Sequence, residues 1–591
     1  METAADLIPI KFLPARVDVE RRKDGTLILR SPEPLRPYAR CLGEYLERWA
    51  AEKPNDVFLA QRAGDTWRKI TWAETRRQVY AIATSLLARG VSVERPVAVL
   101  SDNSIEHALL ALAAMHIGVP IAPISPAYSL ISTDFAKLKK IIDLIEPKLI
   151  FVDNVKQFDR ALNAIALHDF ELVSADDFSR LKHRTDAASI NRAFAAVQPD
   201  TIAKFLFTSG STGEPKAVIN TQRMLCSNIQ SRAQTWPFLE EEPPVLVDWL
   251  PWNHTFGGNN DFGLVLGHGG TLHIDGGKPV PGLIETTVRN LREVSPTICY
   301  NAPRGYDALL PFLENDVNLR RSFFARLKVI LYAAAALPIH LWDRLERLSI
   351  LETGKRVRMT AAWGSTETAP QVTIVHFEPL RTSVVGLPSP GYELKMVPVD
   401  AAGKCELRVR GSNVTPGYWR RPDLTVAAFD EEGFYKMGDA GRLADPDDPA
   451  KGIEFAGRLA EDFKLSSATW VHVGALRVRA IAAMAPVAQD IVIAGHDRHE
   501  VGFLIFPKPG TDIRDTEVRK RVREGMAALR DEGGGTSTYA TRAAFLEEPP
   551  SIDAGEITDK GYINQHAVLD RRAAVVEKLY SCSADESIIL L

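Results

Sequence analysis

At 591 residues the chain exceeds what one hydrophobic core supports, and it implies two to four structural units. Apolar residues make up 45% and charged residues 25%, a balance that excludes long disordered stretches. The 71 basic and 75 acidic residues leave a formal net charge of −4, so there is no nucleic-acid footprint, and any site for a polyanion has to be built locally from backbone amides and a few placed cations.

Residues 1–40 read as an extended lead-in rich in Pro and Arg. From Leu42 the pattern becomes α/β: Leu42–Ala51 and Thr75–Arg89 carry apolar residues at helical spacing, Pro96–Leu100 is a short apolar strand, His107–Ile117 a helix, and Pro120–Ile124 and Leu149–Val152 further strands. Strands alternating with helices at this spacing predict parallel sheets covered by helices. The rhythm runs to about residue 385. Between Val385 and Glu454 it gives way to short strands punctuated by Gly and Pro (Glu393–Val399, Cys405–Arg410, Gly433–Lys436), which predict a small β-rich subdomain. Beyond Arg458 comes a mixed stretch with two apolar strands, Asp490–Ala494 and Val501–Phe506. A domain boundary is therefore expected between 457 and 458, giving a large N-terminal α/β domain of parallel-rich sheets with a small β subdomain, and a small α+β C-terminal domain over 458–591.

The five cysteines, Cys41, Cys226, Cys299, Cys405 and Cys582, are far apart and show neither metal-ligand spacing nor a disulfide framework, which fits a reducing, cytoplasmic setting. The opening residues lack the apolar core of a signal peptide. The most apolar run, Ala108 to Ile124, carries His116 and is broken by Gly118 and Pro120, so no membrane span is expected.

The stretch richest in chemistry is Leu206-Phe207-Thr208-Ser209-Gly210-Ser211-Thr212-Gly213-Glu214-Pro215-Lys216. An apolar strand runs into a loop of hydroxyls and glycines and then a lysine. Gly210 and Gly213 permit close backbone approach, so that successive amides face inward as an anion nest. Thr208, Ser209, Ser211 and Thr212 add hydroxyl donors, and Lys216 adds a mobile point charge. A polyphosphate needs this combination. The spacing is neither a Walker P-loop, since Lys216 follows Pro215 and precedes Ala217, nor a dinucleotide fingerprint.

This loop resembles the phosphate-binding signature of the adenylate-forming superfamily, which includes acyl-CoA synthetases. Further stretches match in order: Ala361-Ala362-Trp363-Gly364-Ser365-Thr366-Glu367-Thr368, then Gly411 to Trp419, then Met437-Gly438-Asp439, then Gly457-Arg458. The likeness covers roughly residues 40 to 580. Within it, Gly457–Ser466 with Thr469-Trp470-Val471, Ser125–Leu130 and Gly555–Asn564 look like the feruloyl-CoA synthetase branch. That resemblance implies an ATP-dependent acid–CoA ligase, with Mg²⁺ and coenzyme A, acting on a hydroxycinnamate such as ferulate.

It also implies roles. Thr208, Ser209, Ser211, Thr212 and Lys216 would hold the β- and γ-phosphates, Thr366 the α-phosphate, and Glu367 the Mg²⁺. Trp363 and Gly364 would wall the adenine, Asp439 would accept the ribose hydroxyls, and Arg458 would reach the ribose or phosphate. His254 would gate the acid pocket, with Asn301 and Pro303 lining it; the alternative for His254 is a packed histidine beside aromatics. Lys560 would be the C-terminal lysine of the first half-reaction.

The chain departs from the family pattern at three places: Ala460 stands at a hinge position that is commonly Asp or Lys, Glu556 follows Gly555 where a Lys is usual, and Tyr332-Ala333-Ala334-Ala335-Ala336 replaces an adenine-wall segment that usually carries a Gly. Two other readings stay open. One is an adenylating ligase for another aromatic or fatty acid. The other is a degenerate nucleotide-binding protein, supported by Glu556.

Overall fold

The computed structural model describes residues 5–209, 214–400, 403–558, 561–581 and 586–591. Three sheets build the N-terminal part. The first has six strands, in the order Pro215–Thr221, Ile202–Ser209, Ile121–Pro123, Val97–Val99, Leu149–Val152 and Glu171–Ser174. It is parallel apart from the hairpin formed by its first two strands. The alternation of apolar strands and helices dictates this. Leu149–Val152 is buried along its whole length, as a strand covered on both faces must be. Helix Trp72–Ala88 begins at Thr71, whose side chain and that of Glu74 cap each other's backbone amides. Helix Ile105–His116 begins at Ser104, which accepts from the His107 amide.

A second sheet of four strands joins Val245–Asp248, Thr271–Ile274 and Val57–Ala63 in parallel, with Thr66–Thr71 antiparallel at its edge. The third has eleven strands. At one end Ile298–Asn301, Val329–Tyr332 and Arg358–Gly364 run parallel. From Gln371–Ile374 onward the pairing is antiparallel, through Val384–Pro388, Ile453–Arg458, Tyr435–Leu443, Cys405–Gly411 and Tyr392–Pro398. The β-rich stretch after residue 385 is thus continuous with the parallel strands. The sheet ends in a hairpin, Asp18–Arg21 with Leu27–Arg30, formed by the residues read above as an extended lead-in. Leu29 packs in the same cluster as Leu394 and Met396, and that burial orders the segment.

Ile453–Arg458, an interior strand, is the last of this sheet in chain order. After a turn over Leu459–Glu461 the chain builds a separate core from a four-stranded sheet, Ala488–Ala494, Val501–Pro507, Ala540–Phe545 and Ile588–Leu590, with helices Val473–Ala483 and Thr516–Asp531. At the junction Gly457 lies against Gly474, where an added Cβ on Gly474 would sit 3.0 Å from the Gly457 Cα. Beside it the Asp462 carboxylate takes Lys404, His472 Nδ1 (2.9 Å) and the Val473 amide (3.1 Å). A second contact ties Asp553 to the amide and hydroxyl of Thr133 (3.0 and 2.7 Å) and Lys137 Nζ to the Ile552 carbonyl (2.8 Å).

Glu556 is fully buried. Its carboxylate accepts from the Ser551 amide (2.9 Å), from Arg572 Nε (2.8 Å) and from Arg571, while its carbonyl takes the Asn564 amide (2.9 Å). Ile557 bridges Ile563, and Thr558 bonds Tyr562, so Glu556 and Asn564 close the base of a hairpin. Lys560 lies outside the described residues. Burial alone would push the Glu556 carboxyl up, but Arg572, the Ser551 amide and Arg571 outweigh it and hold the group below the usual glutamate value.

Two predictions follow from these positions. Glu556→Gln leaves Arg571 and Arg572 only the exposed Glu548 as a counter-charge (3.8 and 3.1 Å) and is expected to cost about 3 kcal/mol, read as a lower melting temperature at pH 7. Because the folded-state value is depressed, the Glu556 contribution is complete above the unfolded glutamate value of about 4.3 and is lost as the pH falls through the folded value. The variant should therefore shed less stability on acidification than the parent. In the segment after Val329–Tyr332, Ala334 stands at φ +73°, a left-handed conformation that strains any residue with a Cβ. Ala334→Gly is expected to raise stability by about 1 kcal/mol in a denaturant titration.

Candidate active site

The described ends of the phosphate-type stretch lie on two paired strands. Strands Ile202–Ser209 and Pro215–Thr221 pair antiparallel, with Lys216 directly opposite Thr208 and Pro215 opposite Ser209. Gly210, Ser211, Thr212 and Gly213 lie outside the described residues, and for Ser209 only the backbone is described. The hairpin's outer strand is flanked by the segment that ends at Trp419: Trp419 donates to the Ala217 carbonyl (2.9 Å), Ile219 to that of Gly417 (3.1 Å), and the Trp419 ring lies 5.0 Å from Phe205. This seats Tyr418 beside Lys216, whose Nζ is 5.2 Å from the centre of the Tyr418 ring.

The Tyr418 hydroxyl donates to Glu367 Oε1 (3.2 Å) and lies 3.1 Å from the Tyr435 hydroxyl. Burial, and then the Glu367 charge, push both phenols well above the usual tyrosine range, so both stay protonated as donors. Glu367 sits in the short turn Thr366–Thr368, which follows directly on strand Arg358–Gly364, and its carbonyl accepts the Thr415 amide (2.8 Å). Thr366 and Glu367 are both buried. Gly364 is needed where the strand turns: a Cβ there would lie 1.7 Å from the Pro370 carbonyl oxygen.

A second cluster forms one step along the same strand. Trp363 Nε1 donates to Asp439 Oδ2 (2.9 Å). Asp439 and Arg458 face each other across strands Tyr435–Leu443 and Ile453–Arg458, with Arg458 Nε 3.6 Å from Asp439 Oδ1. Asp439 is buried and Oδ1 accepts no hydrogen bond among the described residues, whereas the Arg458 side chain is largely exposed. Burial raises the Asp439 carboxyl, opposed by the Arg458 charge and the Trp363 bond, with Glu367 adding repulsion. The result is a buried carboxylate with one oxygen tied down and one open, and such a group suits a hydroxyl donor.

The residues expected to form the acid pocket lie on two neighbouring elements. His254 belongs to the turn that leads into a six-residue π-helical segment, Phe256–Asp261; its amide donates to the Pro251 carbonyl (3.1 Å) and its carbonyl accepts the Gly258 amide (2.8 Å). Asn301 ends strand Ile298–Asn301, and Pro303 opens helix Pro303–Asn315 as its first residue. Phe256 packs edge-on against Tyr300 at 5.9 Å and joins the two elements. The sequence reading missed Tyr418 as the group between Lys216 and Glu367, and it missed Tyr300 and Tyr435. A tyrosine inside the family-like Pro416-Gly417-Tyr418-Trp419 run was the available signal for the first; the others carry none. Among the described residues no cluster of three or more His, Cys, Asp or Glu is arranged to hold a metal, and no helix is long and apolar enough to cross a membrane.

Comparison with known proteins agrees with this architecture. The family model for AMP-binding enzymes matches residues 46–419. The chain is 26% identical over 513 residues to 3-[(3aS,4S,7aS)-7a-methyl-1,5-dioxo-octahydro-1H-inden-4-yl]propanoyl:CoA ligase of Mycobacterium tuberculosis, covering 83% of this chain and 94% of that one. Among solved structures, ATP-bound MatB from Rhodopseudomonas palustris superposes with a TM-score of 0.67 at 21% identity, over 90% of this chain and 99% of that one. The anthranilate CoA ligase AuaEII in complex with anthranoyl-AMP gives 0.70 at 19%, over 92% and 98%. The phosphate-type hairpin, the Trp363–Asp439–Arg458 cluster and this match, which spans more than half of the chain, lead to one conclusion: the chain belongs to the AMP-binding enzyme family, within the adenylate-forming acyl-CoA ligase superfamily.

Proposed function

We propose that this protein is an acid–CoA ligase for a hydroxycinnamate such as ferulate, built from an adenylation domain over 1–457 and a C-terminal domain over 458–591 that turns about the Gly457–Gly474 contact. Enzymes of this family take a carboxylic acid, ATP and coenzyme A and use Mg²⁺. The attacking carboxylate is already ionised at neutral pH, so no general base is required. The obstacle is the approach of an anion to a polyanion, and positioning and charge neutralisation have to overcome it.

Each cluster then has a task. Thr208, Ser209 and Lys216, with residues 210–213, hold the outer phosphates. Thr366 bonds the α-phosphate. Asp439, steadied by Trp363, accepts ribose hydroxyls on its open oxygen, with Arg458 alongside, and Trp363 and Gly364 flank the adenine. Glu367 is a lone buried carboxylate, a donor set that fits Mg²⁺, which is commonly held by one or two carboxylates together with substrate phosphates. The ion would supply neutralisation of phosphate charge when bound. His254, Asn301 and Pro303 border the acid, and Lys560 serves the first half-reaction. Glu556 is occupied in a buried ion pair at the hairpin base, so its presence beside Gly555 argues for hairpin structure and not for a lost catalytic lysine.

The observation that carries the aromatic assignment is Tyr300. Its ring packs against Phe256, and its buried hydroxyl lies beside the polar side chains of Arg232, Asp261 and Asn260. An aromatic face backed by polar groups suits a ring that bears a hydroxyl better than an aliphatic tail.

The direct test incubates the protein with Mg-ATP, coenzyme A and a panel of aromatic and aliphatic acids, following pyrophosphate, AMP and thioester. Hydroxycinnamoyl thioester as the preferred product is expected; preference for a fatty or bicyclic acid would discard the substrate while keeping the chemistry. Tyr300→Phe is expected to raise KM about tenfold for ferulate and to leave unsubstituted cinnamate within twofold. Glu367→Gln is expected to lower the rate of AMP formation by about 10²-fold or more, with melting temperature little changed.

A further inference from the structure

Lys204 has no role in the scheme above. It lies on Ile202–Ser209, four residues before Thr208 on the same strand face, about 13 Å along it. Its side chain is buried, and no carboxylate pairs with it among the described residues. Among the described residues the ammonium donates to a single acceptor, the Gly258 carbonyl, at 2.6 Å. Burial lowers its pKa to about 7. An uncompensated buried lysine is costly, and a methionine of similar volume would fill the same space without that cost. The acceptor suggests what the charge is kept for.

Gly258 lies in the π-helical segment Phe256–Asp261, a rare element that concentrates at functional sites. The segment is folded back on the preceding loop: a Cβ on Gly257 would lie 2.3 Å from the Leu250 carbonyl oxygen, and one on Gly258 would lie 2.2 Å from that of Trp252. Gly258 also closes the His254 turn, since its amide donates to the His254 carbonyl at 2.8 Å. The next residue is held in the same way. Asn259 Nδ2 donates at 2.7 Å to Oδ1 of the buried Asn220, and Asn220 is the residue directly opposite Lys204 in the hairpin register. Two cross-strand partners thus grip two consecutive residues of the π segment, while Thr208 and Lys216, paired further along the same hairpin, stand at the phosphate loop.

We infer that Lys204 and Asn220 are positioning residues: they clamp Gly258 and Asn259 so that the turn carrying His254 is held in fixed register with the phosphate hairpin. The inference rests on the proposal that the His254 turn borders the acid. Reaction between carboxylate and α-phosphate requires near-contact alignment, and the hairpin's ladder runs unbroken from the Lys204–Asn220 pair to the Thr208–Lys216 pair, so slack at its base displaces the acid but not the nucleotide.

The test is steady-state kinetics on Lys204→Met and Asn220→Ala with the best acid of the panel, alongside their melting curves. We expect KM for the acid to rise at least tenfold in each, KM for ATP to stay within twofold, and the double variant to be little worse than either single one, as for two halves of one clamp. If Lys204→Met does not fold, Lys204→Gln and Asn220→Ser give the same readout. An acid KM within twofold of the parent, or acid and ATP values rising together, overturns the inference. A parent enzyme inactive on every acid would instead overturn the functional proposal on which it rests.

Discussion

Opposite charges in a pocket tend to neutralise each other, and the site proposed here to receive both a phosphate and a cation would have to prevent that. Tyr418 does so here. Its ring face takes the Lys216 ammonium and its hydroxyl donates to Glu367, and no Lys216–Glu367 ion pair is formed among the described residues. Lysine and glutamate are thereby held close, oriented and unneutralised. The aromatic contact is weak enough to yield to a phosphate, whereas a direct buried ion pair would have to be broken at a cost of several kcal/mol.

Tyr418 holds that place because of the hairpin. The Gly417–Trp419 segment is hydrogen-bonded to Pro215–Thr221, and Thr415 takes the Glu367 carbonyl, so the ring is located by backbone bonds on both sides. The same outer strand carries Lys216, and the inner strand carries Thr208 and Lys204. The eleven-stranded sheet adds the other half, bringing Trp363, Asp439 and Arg458 together from three strands. The two sheets meet at one sequence feature, the Gly364–Thr368 turn, which holds Glu367 against one cluster and Trp363 against the other.

The α/β rhythm, the phosphate-type loop and the Trp363–Thr368, Gly438-Asp439 and Gly457-Arg458 motifs were legible in the chain because each is local: residue types at fixed spacing within a dozen positions. Contacts that join distant segments were not. Tyr418 lies 51 residues from Glu367, and Trp363 lies 76 from Asp439. Lys204 gave no signal in the sequence, because its acceptor is a backbone carbonyl, which leaves no mark on residue identity. The merging of the β-rich stretch into one long sheet escaped for a related reason, since strand order is a property of pairing and not of composition. The Tyr332–Ala336 segment was visible as lacking a usual glycine, but the left-handed backbone at Ala334 was not.

The hairpin Asp18–Arg30 acquires a second meaning from its position. A sheet of eleven strands ends somewhere, and an open row of amides and carbonyls there would template pairing with another molecule. The terminal strand here is Asp18-Val19-Glu20-Arg21, largely exposed and mostly charged, with Glu20 bonded to both Arg22 and Arg30. Directly behind it lie the apolar residues Leu27, Ile28 and Leu29, paired to Tyr392–Pro398. A chain shortened past residue 22 would retain every group discussed above as chemistry, yet would end its longest sheet on the bare apolar strand Leu27–Arg30 and be prone to self-association through that edge.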